Sequence, residues 1–383
     1  MKIAILHSGD LNTVSRGGVD RYIKSIISFC DDYEITVFGV TVTGEHRIGN
    51  QYEKEFCGKK YYFVPIIDDR KYPLSIRYMI KEFLWINKLG KYDCIYAQRT
   101  EYSIPFFFSK HKHRLIEMIH GSSKYSEVFW GKHKARLHLF FEKIAIGTAA
   151  KTYIILNRDE YGVPYYKRRY PHYADKIEYG LNPIDTRVYC AKDKNDTRRK
   201  LGITYEKVIL FAGRVEDNPK RVLLFPDIMK RVVEKYPSAG FVVVGDGQDL
   251  DLLKKNVEEK GLRNCFAFTG YIDDPYTISK YNSAADVSLN ISMFEGTCTS
   301  NLESIACGTP VVSTDVGDIH ECISTDSNGI IIPNSDDESI IRNCTDAITS
   351  IFENGIKMNK IYVKYDGRGV AAKMKKEIEN YCH

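Results

Sequence analysis

The strongest constraint on the fold is an alternation of short apolar runs with amphipathic helical stretches. The apolar run KIAILH opens the sequence, a helical pattern follows at about residues 20–30, and YEITVFGV is again apolar. Strands that alternate with helices of ten or more residues are typical of a parallel, doubly wound sheet. The pattern continues through YYFVPII, the helical RYMIKEFLWINKLG, YDCIYAQ, RLIEMIHG and KTYIILN. The first half therefore predicts one α/β sheet.

A turn-rich segment around Gly180, Pro183 and Asp185 interrupts this pattern, and the alternation then starts again. KVILFAGR and GFVVVGDG predict strands, and residues 222–236 and 250–260 predict helices. Later strands are CFAFTGYI, ADVSLNIS and PVVST. We predict two α/β domains joined near residues 183–195, with a last helix over 370–383. The cleft between two such sheets is the expected place for a ligand.

Composition narrows the class of protein. Hydrophobic residues make up 43% and charged residues 27% of the 383 positions, which is typical of a soluble globular protein. No run approaches the ~18 apolar residues of a membrane span, and we expect MKIAILHSGD to be a first strand rather than a signal peptide. The 10 cysteines show neither CxxC pairs nor metal-ligand spacing, which favours reduced thiols in a cytoplasm.

Charge is unevenly divided. Residues 1–190 contain 30 Lys and Arg against 21 Asp and Glu, and residues 191–383 contain 25 against 29. A basic first half favours an anionic partner, either substrate phosphates or a membrane surface. Residues 124–143 (KYSEVFWGKHKARLHLFFEK) and 165–173 (YYKRRYPHY) mix cations with aromatic residues, which suits an anionic membrane. Helices that pack their aromatic residues inward explain these stretches equally well.

The most informative motif runs from Phe294 to Pro310 and is FEGTCTSNLESIACGTP. Glu295 follows an apolar strand pattern, and Glu303 lies in the first turn of a predicted helix. Both carboxylates then face the crevice at the carboxyl ends of the strands, where open α/β sheets bind ligands. We expect a nucleotide-sugar site here. As an alternative, Ser300 and Glu303 fit a capping box, in which Glu303 serves only its own helix, and Glu295 fits a solvated loop acid.

Other strand ends point to phosphate binding. Arg214 ends the run FAGR, and Lys220 follows close to a predicted helix. A guanidinium and an ammonium group suit a diphosphate leaving group, on which negative charge builds as the bond breaks. Two solvated surface cations are the plainer explanation. Gly245 and the pair Gly270-Tyr271 end two further strands, although glycines at such turns are often structural.

In the first half, Ser15-Arg16-Gly17-Gly18-Val19-Asp20 leads into the first helix. Two glycines allow a close approach to a phosphate or a sugar at a helix start. The spacing is neither GxGxxG nor that of a P-loop. His120-Gly121 follows the apolar run LIEMI, which places His120 at another strand end, although a lone histidine is more often structural.

The order of these motifs resembles that of the retaining, GT-B-fold glycosyltransferases of glycosyltransferase family 4 (glycosyl transferases group 1). Glu295 and Glu303 match the E-x7-E motif of the family, and Arg214 and Lys220 match its diphosphate-binding Arg and Lys. Three further segments are similar to its Gly-Gly-x-Glu loop, its Asn-Gly-Ile-Asp hinge and its acceptor-side His-Gly: Gly17-Gly18-Val19-Asp20, Asn182-Pro183-Ile184-Asp185 and His120-Gly121. The resemblance covers nearly the whole chain and is most specific over residues 208–321.

The chain departs from the family near the donor sugar. Gly296-Thr297-Cys298 stands where Gly-Phe-Gly is common, and Gly317-Asp318 stands where Gly-Gly is common. Asp20 replaces the usual Glu, and Pro183 replaces the usual Gly of the hinge. The identity of the donor sugar therefore does not carry over.

The resemblance implies a GT-B fold, with two Rossmann-like, doubly wound parallel-sheet domains that face each other across a cleft. It implies an acceptor-binding domain over 1–183, a donor-binding domain over 184–366 and a C-terminal helix, 367–383, that crosses back to the first domain. It further implies sugar transfer, with retention, from a nucleotide-diphosphate sugar, most often a UDP-sugar. The expected acceptor is a glycan or lipid-linked glycan in surface polysaccharide or glycoconjugate synthesis, used by a cytoplasmic enzyme that contacts the inner face of the membrane.

The resemblance also assigns roles to residues. Arg214 and Lys220 would hold the diphosphate, Glu303 the ribose, and Glu295 the sugar in an oxocarbenium-like transition state. His120 would bind a sugar hydroxyl or orient the acceptor. The catalytic residues implied are Glu295, His120, Arg214 and Lys220. The donor-binding residues implied are Gly17, Gly18, Arg214, Lys220, Gly245, Gly270, Tyr271, Glu295, Gly296, Thr297, Cys298, Thr299 and Glu303.

No metal or other cofactor is expected, because two cations already neutralise the diphosphate. The literal Asp249-Leu250-Asp251 is better explained by acids at a helix start, and no nucleic-acid-binding motif accompanies the basic charge. Two alternatives stay open. One is a nucleotide-sugar epimerase of the same fold, for which His120 is the one acid–base candidate. The other is a non-catalytic nucleotide-sugar-binding partner subunit.

Overall fold

The fold is known from a computed structural model, which describes residues 1–11, 18–30, 32–70, 73–124, 131–324 and 327–381. The chain forms two compact units. Unit 1 is Met1–Pro183 with Gly367–His383, and unit 2 is Ile184–Asp366. The amide of Ile184 donates to the carbonyl of Tyr365 at 2.9 Å, so the segments that enter and leave unit 2 are hydrogen-bonded to each other.

Unit 1 is built on one eight-stranded sheet. Its strands are β1 Lys2–Leu6, β2 Glu34–Thr41, β3 Tyr52–Phe56, β4 Lys59–Asp68, β5 Cys94–Ala97, β6 Leu115–Ile119, β7 Lys151–Ile154 and β8 Ile177–Tyr179. Their order is β3-β4-β2-β1-β5-β6-β7-β8, and all neighbours are parallel except the hairpin of β3 and β4. The order reverses between β1 and β5, and ligands bind such sheets at the carboxyl ends of the strands on either side of that reversal.

Helices cover both faces of this sheet. The α-helices are Gly18–Phe29, Leu74–Leu84, Ile86–Leu89, Lys132–Thr148, Val163–Arg169 and Gly367–Tyr381, and the 3-10 segments are Thr100–Phe106, Lys110–Arg114 and Pro171–Lys176. Successive residues of a strand point to opposite faces. Ile3 and Ile5 of β1 therefore join one core cluster, which includes Met374 of the C-terminal helix. Ala4 and Leu6 join the cluster on the other face. Burial on both faces explains why the strands are apolar throughout.

Unit 2 is built on a six-stranded, fully parallel sheet. Its strands are β9 Lys207–Ala212, β10 Ala239–Val244, β11 Phe266–Gly270, β12 Val287–Asn290, β13 Val311–Thr314 and β14 Gly329–Ile332, in the order β11-β10-β9-β12-β13-β14. Its α-helices are Lys194–Leu201, Asp217–Lys220, Phe225–Lys235, Leu250–Glu259, Pro275–Ala284, Thr299–Ala306 and Asp337–Asn354. Its 3-10 segments are Val222–Leu224, Arg263–Cys265, Ile319–Glu321 and Ile361–Tyr365. The order reverses between β9 and β12, which makes their carboxyl ends the switch point of this unit.

The predicted fold class, two doubly wound α/β sheets, is confirmed. Several elements differ from the sequence pattern. The helix predicted over 222–236 is a 3-10 turn followed by the helix Phe225–Lys235, and the helix predicted in RYMIKEFLWINKLG is divided at Trp85. Strands β3, β8 and β14 were not predicted, and β3 is a half-exposed edge strand with the sequence YEKEF. Among the described helices, none has the length and apolar character needed to span a membrane.

Candidate active site

Most of the predicted site residues lie along the carboxyl edge of the unit 2 sheet. Arg214 follows β9, Glu295 follows β12, and Gly245 follows β10, while Gly270 ends β11. Neighbouring strands are about 4.8 Å apart, so the ends of β11 and β12, three positions apart in the sheet, are separated by about 14 Å. An edge of that length suits an extended ligand with several groups.

Lys220 and Glu295 are in direct contact at the switch point. The ammonium of Lys220 donates to Glu295 Oε1, and the two side chains are only 16% and 15% exposed. Burial lowers the pKa of Lys220, but the Glu295 carboxylate outweighs burial and holds the pKa above its usual value. Lys220 is therefore positively charged throughout the physiological range.

Polar residues at the end of β12 orient the Glu295 carboxylate. The hydroxyl of Ser292 lies 2.7 Å from Glu295 Oε1 and 2.7 Å from Asn290 Oδ1, and it donates to one of these oxygens at a time. Thr314 Oγ1 in turn donates to the carbonyl of Ser292 at 2.7 Å. Glu295 is thus positioned by strands β12 and β13 as well as by Lys220.

Arg221 fastens the segment that carries Lys220. Its backbone has a left-handed φ of 51°, and its guanidinium is buried. That guanidinium donates to the carbonyl of Ile291 at 3.2 Å and to Asn334 Oδ1 at 2.8 Å. The amide of Met293 donates to the carbonyl of Pro219 at 2.8 Å. These bonds tie the loop after β9 to the loop after β12, which brings Lys220 to Glu295.

Arg214 is the more accessible of the two predicted phosphate ligands. Its side chain is 51% exposed and forms an ion pair with Glu216 at 3.0 Å. Its positive charge acts on the pKa of Lys220, although less than burial and Glu295 do, so the two cations are near neighbours. An exposed ion pair contributes little stability and is readily exchanged for another anion.

The helix Thr299–Ala306 carries the second acid of the motif. Its N-cap is Cys298, which places Ser300 inside the helix, so Ser300 and Glu303 do not form a capping box. Glu303 is buried and is the fifth residue of this helix, so it lies beyond the first turn, in which the sequence pattern had wrongly placed it. Burial, and then Glu295, raise the pKa of the Cys298 thiol, which lies 3.0 Å from Asn290 Nδ2. Thr297 is buried, whereas Gly296 and Thr299 are partly exposed.

The structure explains why a glycine stands at position 245. A Cβ on Gly245 would lie 1.9 Å from the carbonyl oxygen of Gly213, and its φ is 146°. The amide of Gly245 donates to the carbonyl of Gly270 at 3.0 Å, which holds the ends of β10 and β11 together. Close backbone packing is therefore sufficient to explain Gly245. Beside Gly270, the ring of Tyr271 is exposed.

In unit 1, one predicted residue, Gly18, begins the helix after β1, and His120 follows β6, the strand next to β5. Gly17 lies outside the described residues, and Gly18 is the exposed first residue of the helix Gly18–Phe29. His120 Nε2 lies 2.7 Å from Gln98 Oε1. Burial lowers the pKa of His120 to about 3, so its imidazole is neutral. It donates from Nε2 and keeps Nδ1 as an acceptor.

Gln98 is a candidate that the sequence analysis missed. It lines a cavity of 290 Å³ together with His120, Glu101 and Glu142. Gln98 is buried, and its amide nitrogen has no hydrogen-bond partner among the described residues. A buried donor without a partner is costly, and a ligand oxygen in the cavity would satisfy it. The sequence signal was a polar residue directly after the apolar strand CIYA.

Three positioning residues of unit 2 were also missed. Asn290 and Ser292 continue the alternation of apolar and polar residues in ADVSLNIS, so only the polar positions of this alternation offered a signal. Arg221 carries no such signal, because its burial depends on Asn334 and Ile291, which are distant in the sequence.

A comparison with known protein families identifies the family that unit 2 resembles. Residues 206–350 match the sequence profile of the family glycosyl transferases group 1. The chain carries a glycosyl transferases group 1 domain. Arg214, Lys220, Glu295 and Glu303 all lie inside this domain, and the predicted resemblance to the family is confirmed over these residues.

Curated relatives of the glycosyl transferases group 1 domain carry glycosyltransferase names. The O-antigen biosynthesis glycosyltransferase WbnH of Escherichia coli is 30% identical over 177 residues, which are 45% of this chain and 44% of that protein. An uncharacterized glycosyltransferase of Methanocaldococcus jannaschii is 25% identical and covers 94% of this chain and 89% of its own length. The chain spans less than half the length of the first curated relatives it matches, between 34% and 44%.

Solved structures extend the likeness over the whole chain. Sucrose-phosphate synthase of Thermosynechococcus elongatus has a TM-score of 0.79 at 16% identity, over 99% of this chain and 98% of that one. HepE of Anabaena, solved in complex with UDP and glucose, has a TM-score of 0.70 at 15% identity, over 99% and 100%. These likenesses show the fold, and the chain has the GT-B fold predicted from its sequence.

Proposed function

We propose that the protein is a retaining glycosyltransferase that moves a sugar from a nucleotide-diphosphate donor, a UDP-sugar, to a glycan or lipid-linked glycan. The observation that carries the proposal is the contact of Lys220 with Glu295 at the switch point of a glycosyl transferases group 1 domain. Relatives with names such as O-antigen biosynthesis glycosyltransferase support a role in surface polysaccharide or glycoconjugate synthesis.

The two charges of the pair suit the two charges that develop during sugar transfer. The bond between the anomeric carbon and the β-phosphate oxygen breaks, and its electron pair leaves with the nucleoside diphosphate. Lys220, with Arg214, stabilises the growing negative charge, while Glu295 stabilises the positive charge on the sugar. Both interactions are stronger in the transition state than in the ground state, which is the condition for catalysis.

The remaining steps need no dedicated base. The acceptor hydroxyl attacks the anomeric carbon from the face that the diphosphate leaves, and its proton passes to the leaving phosphate oxygen. A carbon–oxygen bond to the acceptor forms as the bond to the phosphate breaks, so the configuration at the anomeric carbon is retained. Hydrolases differ, because their carboxylates flank the bond and activate water or attack it directly.

Other residues of the edge then bind the rest of the donor. Glu303 accepts from ribose hydroxyls, and the backbone amides from Gly296 to Thr299 face the sugar or the phosphates. The exposed ring of Tyr271 offers a stacking surface to the base. In unit 1, we propose that Gly18 binds a phosphate through its backbone amide and that the neutral His120 accepts a hydrogen bond from a sugar hydroxyl at Nδ1.

We propose that the reaction requires no metal ion, since Lys220 and Arg214 supply the positive charge that the diphosphate needs. Asp249, the first acid of Asp249-Leu250-Asp251, accepts from the amide of Asp217 at 2.7 Å and thereby supports the segment that ends at Lys220. This role explains Asp249 without a metal. We further propose that the enzyme works in the cytoplasm, in peripheral contact with the inner face of the membrane.

The proposal is tested by thermal unfolding of the purified protein with UDP, GDP, ADP, CMP and TDP and their common sugars, with and without EDTA. A ligand at one hundred times its Kd stabilises the native state by about 2.7 kcal/mol. UDP and its sugars are expected to raise Tm by several degrees in both conditions, and Arg214→Ala to abolish the shift.

The matched control is Arg231→Ala, which removes an exposed cation from the helix Phe225–Lys235 of the same unit and should keep the shift. A folded sample that responds to none of the nucleotides would contradict the donor assignment and favour a non-catalytic partner subunit. Loss of the shift in EDTA would contradict metal independence.

A further inference from the structure

Unit 1 exposes nine large apolar side chains on neighbouring elements. They come from the helix Leu74–Leu84, from the two residues after the 3-10 segment Thr100–Phe106, and from the helix Lys132–Thr148: Ile76, Ile80, Phe83, Leu84, Phe107, Phe108, Leu137, Phe140 and Phe141. Phe108 is 90% and Leu84 is 68% exposed. Single exposed apolar residues are ordinary, but an extended group of them marks an interaction surface. We call these nine residues the apolar face.

The elements of the apolar face are joined to one another. The 3-10 segment Thr100–Phe106 contacts both helices. Tyr102 of this segment stacks on Tyr78 with ring centroids 4.0 Å apart, and Ser75 Oγ donates to Glu101 Oε1 at 3.0 Å. Glu101 also lines one cavity with His138 of the helix Lys132–Thr148. The elements that carry the apolar face therefore form one packed group in unit 1.

The helix Leu74–Leu84 is turned opposite to the usual amphipathic arrangement. It buries Tyr78 and Glu82, whereas it exposes Ile76, Ile80 and Leu84. Soluble proteins normally direct the apolar stripe of a surface helix to the core. An outward apolar stripe suits an environment less polar than water.

The structure shows in which direction the helix Lys132–Thr148 points its aromatic residues, which the sequence left open. Its aromatic residues point outward, since Phe140 is 59% and Phe141 is 39% exposed. The buried aromatic residues of this region are instead Tyr166 and Tyr170, which come from the second basic stretch. Inward packing therefore explains the tyrosines but not the phenylalanines.

A cationic cavity lies beside the apolar face. Its volume is 650 Å³, and its lining is Arg136, Leu139, Phe140, Lys143, Arg169, Tyr170, Pro171, His172 and Tyr173, without an acidic side chain. Arg136, Phe140 and Lys143 form one stripe of the helix, because they are four and then three positions apart. Within the described parts of the chain, neither Arg136 nor Lys143 forms an ion pair with an acid.

We infer that this side of unit 1 docks on an anionic lipid bilayer, in which the apolar face enters the interface and the cationic cavity receives a lipid phosphate. Apolar and aromatic side chains beside the cations Arg136 and Lys143 match the two layers of such a surface, acyl chains and phosphates. A second copy of the chain fits less well, since two cationic surfaces would repel each other. The inference rests on the membrane contact of the proposed function and gives it a location, but its test does not use sugar transfer.

The test is flotation of the whole protein with vesicles of phosphatidylcholine alone or mixed with phosphatidylglycerol. We expect binding to the mixed vesicles that falls as NaCl rises, and little binding to phosphatidylcholine. The double variant Arg136→Glu/Lys143→Glu should weaken binding at least 25-fold, since each cation near the surface is worth about fivefold. Phe140→Ser/Phe141→Ser should weaken it further at high salt, where the apolar contribution dominates.

The matched control is Lys230→Glu/Leu252→Ser, which makes the same kinds of change at exposed positions of unit 2 and should leave binding unchanged. Each variant is first shown to keep its nucleotide-induced Tm shift, so that failure of docking and failure of the proposed function are distinguished.

Four outcomes overturn the inference. The first is equal binding to both kinds of vesicle, and the second is no effect of either surface variant. The third is binding of inorganic phosphate in the cavity by a protein that does not float with either kind of vesicle, which assigns the cavity to a free phosphate. The fourth is concentration-dependent self-association that Phe140→Ser/Phe141→Ser abolishes, which assigns the apolar face to a second copy.

Discussion

Lys220 and Glu295, 75 positions apart in the chain, form an ion pair at the carboxyl edge of the unit 2 sheet. Each group is the other's counter-charge while the site is empty. A largely shielded carboxylate can therefore be held where a positively charged sugar is expected, without the cost of an unpaired charge. In the proposed function, a donor diphosphate would give Lys220 a second anion, and the carboxylate would then be available to the sugar.

The first prediction concerns the stability of this pair. Lys220→Met should lower the free energy of unfolding of unit 2 by about 2 kcal/mol, which is less than the 3–5 kcal/mol of a fully buried pair because both groups keep some exposure. The double variant Lys220→Met/Glu295→Gln should recover most of the loss. Urea unfolding measures both effects.

An exposed pair in the same unit provides the control. Lys235 pairs with Glu353 at 55% and 43% exposure, so Lys235→Met should cost no more than about 1 kcal/mol. If the Lys220→Met/Glu295→Gln variant is as unstable as Lys220→Met, the carboxylate is not what the lysine compensates.

The second prediction compares two glycines that both have a positive φ. Gly317 has a φ of 55° and Gly355 a φ of 63°. A Cβ on Gly317 would lie 2.0 Å from the carbonyl of Gly296, whereas a Cβ on Gly355 meets open space. With a ψ of −171°, Gly355 lies in a backbone region that is essentially restricted to glycine, so Gly355→Ala should cost about 1–3 kcal/mol from its backbone conformation alone. Gly317→Ala should cost more than that and should weaken nucleotide binding, because Gly296 belongs to the motif loop.

Thermal unfolding and nucleotide titration of the two variants test this difference. Equal losses of stability, with nucleotide affinity unchanged in both, would show that the contact of Gly317 with the motif loop has no consequence.

The fold followed from the sequence wherever burial determined the pattern. Strands such as β1 and β9 are buried on both faces and are apolar throughout, so their position is evident from composition alone. Strand β3 belongs to the edge of the sheet, and its YEKEF alternation is not distinct from a polar loop. Strand β8 has three residues, too few for a periodic signal.

The third prediction concerns the protonation of His120. Burial holds its pKa at about 3, so the imidazole should stay neutral from pH 5 to pH 8 in ¹⁵N NMR spectra of the histidine side chains. Gln98→Glu places a carboxylate beside Nε2 and should move the titration of His120 upward, into this range. Gln98→Leu, which adds no charge, should leave the imidazole neutral.

Spectra of His120→Asn assign the resonance. If the wild-type His120 titrates between pH 5 and pH 8, the burial argument is wrong, and His120 becomes a candidate proton donor.

The fourth prediction concerns the pH dependence of stability. Burial raises the pKa of Glu142 to about 7, against a hydrogen bond from Tyr170 at 2.6 Å, whereas the unfolded chain has the ordinary value of about 4.3. Between these values the folded state keeps a proton that the unfolded state has lost. Stability from this group therefore falls as pH rises from about 4.5 to 7.

Glu142→Gln cannot ionise, so its Tm should fall less than that of the wild type between pH 5 and pH 8. Glu160→Gln, at an exposed acid, should follow the wild type. Burial also raises the pKa of Glu117, to about 8, so the variant keeps part of the slope. Parallel curves for Glu142→Gln and the wild type would contradict the assignment.

The candidate site was predictable in its outline but not in its contacts. The rule that ligands bind at strand ends located Arg214, Glu295 and Glu303 from the sequence. It did not reveal that Lys220 touches Glu295, since that contact depends on how two loops meet. For the same reason the burial of Arg221 and the cavity beside Gln98 were visible only in three dimensions.

The most direct test of the central claim is to measure nucleotide affinity and donor-sugar turnover in the same samples of wild type and Glu295→Gln. UDP affinity is read by calorimetry, and consumption of the UDP-sugar, with water as acceptor, by NMR. If Glu295 stabilises the sugar in the transition state, the affinity should stay within about threefold while turnover falls at least about 100-fold. Unchanged turnover, or a loss of affinity as large as the loss of turnover, would contradict that role.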